Sequence, residues 1–196
     1  MRTYTRVMGA LIAVIVIVAI LIILALIVVG QFNKLRRLDL LSQGAFADID
    51  TLLTKRADLV PNLVATVQGA KDFEGATLTA VTQARSMSVQ ANSGSMGDKA
   101  AADGMLTAAL GKLFAVAEAY PQLTATANFQ QLQGQLSEIE GQLQFARQYY
   151  NDSVVALNTA VRTIPSMWFT GMAKVDVREM YNEPDEGRRS APQVKF

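Results

Sequence analysis

The stretch FQQLQGQLSEIEGQLQFARQYYNDSVVALNTAVRTI, from Phe129 to Ile164, decides the fold class of this chain. Its apolar residues recur at steps of three or four, a spacing that places them along one face of an α-helix. The series comprises Phe129, Leu132, Leu136, Ile139, Leu143, Ala146 and Tyr150, and continues with Val154, Leu157, Val161 and Ile164. A helix with such a face predicts an all-α fold in which the face packs against other helices. No competing segment shows the period of two that is typical of a strand.

Upstream of that stretch, a proline divides the helical pattern in two. The apolar residues of Leu35–Leu52 recur every three or four positions and predict one helix. Because the residue before a proline avoids the helical conformation, Val60 is a predicted hinge. Pro61 suits the first turn of a second helix, which Asp58 is placed to cap and which is predicted to extend to about Ala91.

Turn signals separate the two remaining predicted helices. Residues 92–98 form a polar connector rich in Gly and Ser, and a third helix is predicted over Lys99–Ala117, before Tyr120-Pro121. Pro165 ends the fourth helix. Four helices with short connections predict an antiparallel four-helix bundle of long helices over residues 34–165. Residues 166–196 are predicted to be a mostly irregular tail.

The N-terminal residues 1–33 have the composition of a membrane anchor. No charged residue occurs from Val7 to Asn33, and Gly9–Gly30 consists almost entirely of Ala, Ile, Leu and Val. About 20 apolar residues in a helix cross a hydrocarbon core of about 30 Å, so a transmembrane helix that continues into the bundle is predicted. A cleaved signal peptide would have a shorter apolar region, and a buried helix of a soluble protein is the remaining alternative.

Basic residues flank this segment on both sides, so the positive-inside rule separates the two orientations only slightly. Arg2 and Arg6 precede the segment, and Lys34, Arg36 and Arg37 follow it. A short basic leader before an apolar run resembles an export signal. We therefore expect a cytoplasmic N-terminus and a bundle on the extracytoplasmic side.

The composition argues against several classes of function. The 196 residues carry a net charge of +1, so no general attraction to nucleic acid is expected. There is no cysteine and no histidine, which removes thiolate chemistry, the commonest general base and the commonest metal ligand. We therefore expect no catalytic residue, no metal, no cofactor and no enzymatic activity. An enzyme of unfamiliar type is the alternative.

The segment KRADLVPNLV, from Lys55 to Val64, resembles the signature RRxDLIPNLV of the LemA family. Lys55 stands where that signature has its first arginine. Further segments resemble family motifs in the same order along the chain: Phe32-Asn33, AFADID at 45–50, ANFQQL at 127–132, RQYYND at 147–152, Asn158 with Pro165, and PQVKF at 192–196. The resemblance implies a bacterial membrane protein with an N-terminal anchor, a helical bundle and no established catalytic activity.

Two polar clusters are the candidate sites. The first lies around the proline and has two interpretations. It is either a patch that docks a partner or a structural cluster. In the structural interpretation, Asp58 caps a helix, and Arg56 pairs with Asp58 or with an acid of the fourth helix. The second lies along the fourth helix, where polar groups beside an apolar seam fix the register between helices or line a ligand pocket. We favour the structural interpretation of both. The first comprises Lys55, Arg56, Asp58, Pro61 and Asn62, and the second Asn128, Arg147, Tyr149, Asn151, Asp152 and Asn158.

Two aromatic pairs have a similar ambiguity. Tyr149-Tyr150 and Trp168-Phe169 lie at helical spacing beside Leu and Val, which favours core positions. If they are exposed, they would face a partner or the membrane interface.

These observations favour a non-enzymatic scaffold of the bacterial plasma (inner) membrane that spans the bilayer once and forms homo-oligomers. The alternative is an adaptor for a membrane metallopeptidase, a partner that the resemblance to the LemA family implies, or for another envelope complex.

Overall fold

The computed structural model describes residues 2–69 and 73–182, and the chain divides into two compact units. The first unit comprises residues 1–42 and 153–178, and the second comprises 43–152 and 179–196. The described residues form helices and no strand, so the predicted all-α helical fold is confirmed. The elements are α1 (Arg2–Gln68), α2 (Gly75–Ala91), α3 (Met96–Ala117), α4 (Pro121–Thr124), α5 (Ala127–Arg162), a 3₁₀ turn (Ser166–Phe169) and α6 (Thr170–Ala173).

The apolar N-terminal segment continues without interruption into the bundle, as predicted, because α1 is one helix of 67 residues. The predicted break at Pro61 is wrong, since this proline lies inside α1. A proline cannot donate to the carbonyl four residues before it, which here belongs to Ala57. Arg85 replaces the missing donor, because its Nε donates to the Ala57 carbonyl at 2.9 Å. Asp58 therefore caps no helix, and its side chain is exposed.

The predicted second helix is divided between two observed helices. Leu63 and Val67 belong to the end of α1, whereas Val81 belongs to α2, which begins at Gly75. Gly69 follows the last residue of α1, so glycines lie on both sides of the interruption. Glycine is the weakest helix former after proline, which accounts for a break here and not at the compensated proline.

The third helix begins three residues before the predicted start, at a capping box. The Asp98 amide donates to Ser95 Oγ at 3.2 Å, and Asp98 Oδ2 accepts from the Ser95 amide at 2.9 Å. Asp98 Oδ2 also accepts from the Ser95 hydroxyl at 2.8 Å. These hydrogen bonds from Ser95 lower the pKa of the Asp98 carboxyl below its usual value.

The fourth predicted helix corresponds to α5, which ends at Arg162, before Pro165. The short α4 has Pro121 at its first position, where proline costs no hydrogen bond. Beyond α5, the tail contains the 3₁₀ turn and α6, so its first part is more regular than predicted. Residues 183–196 lie outside the described residues, including the PQVKF segment at 192–196.

Each unit has its own apolar core. In the second unit, α1, α2, α3 and α5 bury a common core, in which Phe114 and Phe129 meet edge to face at 6.0 Å. The main members of this core are Val60, Leu63, Val67, Val81, Leu106, Leu110, Leu113, Phe129 and Leu136. In the first unit, Leu35 of α1 packs with Leu157 and Ala160 of α5 and with Ala173 and Val175 of the tail.

Candidate functional site

The second unit contains a buried ionic cluster of five side chains from three helices and the tail. Arg56 of α1 is 4% exposed and Asp103 of α3 is 1% exposed. Arg56 Nη1 donates to Asp103 Oδ1 at 2.8 Å and to the Thr107 hydroxyl at 2.9 Å. The same nitrogen lies 2.9 Å from Glu140 Oε2 of α5 in an ion pair outside hydrogen-bond geometry. We call Arg56, Asp103, Glu140, Arg147 and Tyr181 the ionic cluster.

Arg147 of α5 and Tyr181 of the tail complete the cluster. Arg147 Nη2 donates to Asp103 Oδ2, and its Nη1 lies 3.5 Å from Glu140 Oε1. The Tyr181 hydroxyl donates to the same Asp103 oxygen at 2.7 Å, and its ring lies 5.2 Å from the Arg147 guanidinium carbon. The Asp103 carboxylate thus accepts hydrogen bonds from both arginines and the tyrosine.

A second buried cation lies in the same unit. Lys99 of α3 is 3% exposed and forms an ion pair with Asp50 of α1. Its ammonium group also lies 4.9 Å from the centre of the Phe46 ring, within the range of a cation–π interaction. The Phe46 ring lies 6.3 Å from the Tyr150 ring of α5. The Lys99–Asp50 ion pair and the contact between the Phe46 and Tyr150 rings thus together link α1, α3 and α5 at a second point.

The ionic cluster balances its own charge, because two arginines face two carboxylates. Breaking such a buried network is costly, whereas its presence fixes which residues of neighbouring helices face each other. Within residues 2–69 and 73–182, no group of three or more His, Asp or Glu side chains has the arrangement of a metal site. The geometry of the ionic cluster therefore supports a structural role, in which the cluster fixes the register between the helices.

Two asparagines of α5 hold the tail segment 175–182, each by hydrogen bonds in both directions. In the first unit, Asn158 Nδ2 donates to the Arg178 carbonyl and Asn158 Oδ1 accepts from the Arg178 amide, both at 2.9 Å. The Arg178 guanidinium also donates to Asp39 Oδ1, at 2.8 Å from Nη2 and 3.1 Å from Nε.

In the second unit, Asn151 holds Tyr181 in the same way, at 3.0 Å for the carbonyl and 2.7 Å for the amide. The Tyr150 hydroxyl donates to the Glu179 carbonyl at 2.8 Å. A side-chain amide carries both N–H donors and a carbonyl acceptor, so it can pair with the N–H and C=O of an irregular segment as a neighbouring strand would.

The structure separates the predicted site residues into three groups. Arg56 and Arg147 meet in the ionic cluster, and Tyr150, Asn151 and Asn158 hold the tail. Of the two pairings predicted for Arg56, the one with an acid of the fourth helix is confirmed by Glu140. The remaining side chains around the proline and along α5 are exposed: Lys55, Asp58, Pro61, Asn62, Asn128 and Asp152.

The aromatic pairs are also divided. Tyr150 is 3% exposed and Phe169 packs against the core of the first unit, as predicted. Tyr149 is 53% exposed and Trp168 is 68% exposed, so the core prediction is wrong for these two. In each pair, successive helical residues point in different directions, and only one of them faces the core.

Sequence reasoning missed Asp103, Glu140 and Tyr181, although a signal was present for Asp103. The buried positions of α3 include Lys99, Asp103, Leu106, Leu110, Leu113 and Ala117, which follow one another at steps of four and three. The buried positions of α1 in this unit include Ile49, Leu53, Arg56, Val60, Leu63 and Val67. Charged residues thus occupy apolar seam positions on facing helices, which predicts that they pair with each other.

The surface of the second unit has two further features. Phe145 of α5 is 78% exposed and lies four residues before the exposed Tyr149, on the same helix face. Between α3 and α5, a groove of about 730 Å³ is lined mainly by glycine, glutamine and small polar residues. A Cβ added at any of its three glycines, Gly111, Gly134 and Gly141, would meet no atom within 4 Å.

A comparison with protein families gives a match for this chain. The family model described as LemA family matches residues 45–196, which is more than half of the chain and includes all the residues of the ionic cluster. No curated protein matches the chain significantly.

Proposed function

We propose, from the premise that this chain belongs to the LemA family, that it is a non-enzymatic scaffold of the bacterial cell envelope. In this proposal the apolar part of α1 anchors the chain in the plasma membrane, with the N-terminus in the cytoplasm and the bundle outside. The chain then self-associates through the exposed aromatic face of α5.

The anchor is supported by the apolar surface of α1. A window of 18 residues in Val14–Gln68 has a mean hydropathy of 3.3, and none of it is buried. Most of its Leu, Ile and Val side chains are about half exposed or more, as Leu21 at 60% and Ile23 at 57% illustrate. An apolar surface of this extent requires a cover, and lipid provides one over the length of a span. The helix α3 is also long and apolar enough to span a membrane, but it supplies core residues of the second unit.

The non-enzymatic part of the proposal is supported by the ionic cluster. Its arginines are the only predicted site residues with buried charges, and both are held by carboxylates of the same unit. Charges that neutralise each other within the bundle stabilise one helix arrangement and have no need of a substrate.

Self-association depends on one observation, the exposure of Phe145 and Tyr149. The apolar seam of α5 is already used inside the chain, because Leu143 and Tyr150 are buried. A second face of the same helix nevertheless presents two large aromatic side chains to solvent. Aromatic residues are enriched in protein interfaces and often supply much of their binding energy, so this face suits a second copy of the chain.

The test is native mass spectrometry of the full-length chain in mild detergent. We expect an oligomer for the wild type and a shift to monomer when Phe145→Ser and Tyr149→Ser are combined. The matched control is Met105→Ser, which changes an apolar residue on α3 that is 44% exposed, and it should leave the oligomer intact. A wild-type chain that is monomeric at all concentrations would refute self-association.

The alternative is an adaptor for a membrane metallopeptidase or another envelope complex, and the groove between α3 and α5 favours it. Glycine inside a helix costs about 1 kcal/mol relative to alanine. Packing within the chain does not require Gly111, Gly134 or Gly141. Three such glycines along one groove leave room for a partner segment to approach the backbone closely.

Substitution in the groove separates this alternative from the scaffold. Gly134→Leu should remove a second protein that copurifies in fixed ratio, while the fold persists. Gly44→Leu is the control, because that glycine also lies in a helix with open space around it. A partner retained by Gly134→Leu would argue against the groove as its site.

A further inference from the structure

In the first unit, the residues that follow α5 contact α1 at the point where its apolar run ends. That run ends at Gly30, and the next residue, Gln31, accepts a hydrogen bond at Oε1 from the Ser166 hydroxyl at 2.7 Å. One turn further on, Leu35 packs with Ala173 and Val175, and Phe32 and Phe169 border the same core. The 3₁₀ turn and α6 therefore lie beside the first helical turns that follow the apolar run.

The direction of α5 in this unit is also determined. Ser166, after α5, lies at Gln31, whereas Asn158 shares Arg178 with Asp39 of α1. Moving along α1 away from the apolar run thus corresponds to moving backwards along α5. The end of α5 and the residues after it are the part of the unit closest to the apolar run.

This part of the unit exposes large apolar side chains. The exposed fractions are 66% for Ile164, 43% for Met167, 68% for Trp168 and 56% for Met172. We call these four residues the collar. Their neighbours Phe169 and Ala173 pack into the core, so the collar lies on the side of the turn that the unit itself leaves uncovered.

Basic side chains lie at the same level. Lys34 and Arg37 are exposed on the helical turns after Gln31. Tryptophan is enriched where a membrane meets water, since its ring is apolar and its N–H is polar, and lysine and arginine interact with lipid phosphates there. The combination of an apolar collar with exposed basic residues is typical of a surface that lies in the headgroup region.

We infer that the collar inserts into the interfacial region of the same bilayer that the apolar part of α1 spans, so that the residues of the first unit beyond the apolar run lie against the membrane surface. This inference rests on the proposed membrane anchor. Lipid is the occupant that the structure favours, because the collar adjoins the end of the apolar run. A second copy of the chain covering the collar is the competing outcome of the test.

The chain contains one tryptophan, so its fluorescence reports on Trp168 alone. The full-length protein would be reconstituted into vesicles of phosphatidylcholine and phosphatidylglycerol and isolated by flotation. We expect its emission to lie at shorter wavelength than that of tryptophan in water. Lipids brominated near the headgroup end of the acyl chains should quench it strongly, and aqueous acrylamide only weakly.

Two variants calibrate the measurement. Trp168→Phe with Leu24→Trp places the single tryptophan within the apolar run, where deeply brominated lipids should quench it. Trp168→Phe with Val155→Trp places it at a position of α5 that is 49% exposed and lies about 10 Å before the Arg162 end of the helix. That tryptophan should be quenched by acrylamide and not by brominated lipid.

The outcomes separate the inference from the anchor on which it rests. Flotation with acrylamide quenching and no lipid quenching of Trp168 would overturn the collar and leave the anchor standing. Emission at short wavelength without lipid quenching would mean that protein covers Trp168, which also overturns the inference. A chain that does not float with vesicles would overturn both.

Discussion

Arg85 and Pro61 illustrate compensation at the scale of single residues. A proline inside a helix leaves one carbonyl without its donor, and the carbonyl here belongs to Ala57, which is 2% exposed. A buried carbonyl without a partner is costly. Arg85 Nε supplies the partner from 28 residues away along the chain, which allows α1 to continue to Gln68.

A double-mutant cycle tests this compensation. Arg85→Met should lower the free energy of unfolding by about 1–2 kcal/mol, because the Ala57 carbonyl loses the hydrogen bond that Arg85 donates from α2. In a Pro61→Ala background the new amide bonds that carbonyl, so the same change should cost about 1 kcal/mol less. Chemical denaturation of the four proteins in detergent, followed by circular dichroism, gives the coupling. Equal costs in both backgrounds would show that Arg85 does not compensate for the proline.

The capping box of α3 predicts a pH dependence. Hydrogen bonds from Ser95 lower the Asp98 pKa below 3.8, so the ionised carboxylate stabilises the folded state. Because the pKa is lower in the folded state, this stabilisation is complete above the unfolded value and is lost as the pH falls through the folded value. The decrease in stability below about pH 4 should therefore be smaller in Asp98→Asn than in the wild type. Unfolding curves at several pH values measure this difference, and identical slopes would contradict it.

At the scale of elements, α5 both builds the cores and holds the tail. Its seam residues face inward, while Asn151 and Asn158, seven positions apart, bind backbone groups of the tail. Two helical turns separate these asparagines, so they share a helix face. The same helix thus stabilises regular and irregular parts of the chain with different side chains.

Replacing one of these asparagines should free the tail only at the residue that this asparagine binds. Asn158→Ala loses both hydrogen bonds to Arg178, so the Arg178 amide should exchange with solvent deuterium faster, at a cost of about 1–3 kcal/mol in global stability. Asn151→Ala should have the corresponding effect at Tyr181. The control is Asp152→Ala, which changes an exposed residue between the two and should leave exchange in 175–182 unchanged. Unaltered exchange in both asparagine variants would refute the role of the amides.

At the scale of the whole molecule, the ionic cluster connects distant parts of the chain. Asp103 is 47 positions from Arg56, 44 from Arg147 and 78 from Tyr181. One carboxylate therefore determines how α1, α3, α5 and the tail meet in the second unit. The family match over residues 45–196 includes every member of this cluster.

Replacement of that carboxylate should destabilise the fold strongly. Asp103→Asn removes the carboxylate that both buried arginines contact, so the free energy of unfolding should fall by about 3–5 kcal/mol. Asp152→Asn, a matched change at an exposed position, should cost no more than about 0.5 kcal/mol. Combining Asp103→Leu with Arg56→Met and Arg147→Met removes every charge that Asp103 neutralised and should recover most of the loss. Thermal unfolding in detergent distinguishes these cases, and a mild effect of Asp103→Asn would show that the cluster has little structural role.

The sequence by itself determined the fold class, the continuation of the apolar N-terminal segment into a helix of the bundle, and most helix ends. These depend on local patterns, namely apolar spacing, the length of an uncharged run, and Gly or Pro near helix ends. The break at Pro61 was predicted wrongly, because the donor that makes the proline tolerable is a side chain of another helix. Rules that consider only neighbouring residues along the chain cannot predict a donor that comes from another helix.

Only the tertiary structure decided which polar residues meet and which aromatic residues stay exposed. Arg56 and Arg147 were candidates from sequence, but Asp103 became their partner only when three helices and the tail came together. Likewise, Tyr149 and Trp168 differ from Tyr150 and Phe169 by one position, which is enough to turn a side chain away from the core. Ion pairing and exposure depend on side-chain directions set by packing between distant segments, and these directions are not encoded in the spacing of any one segment.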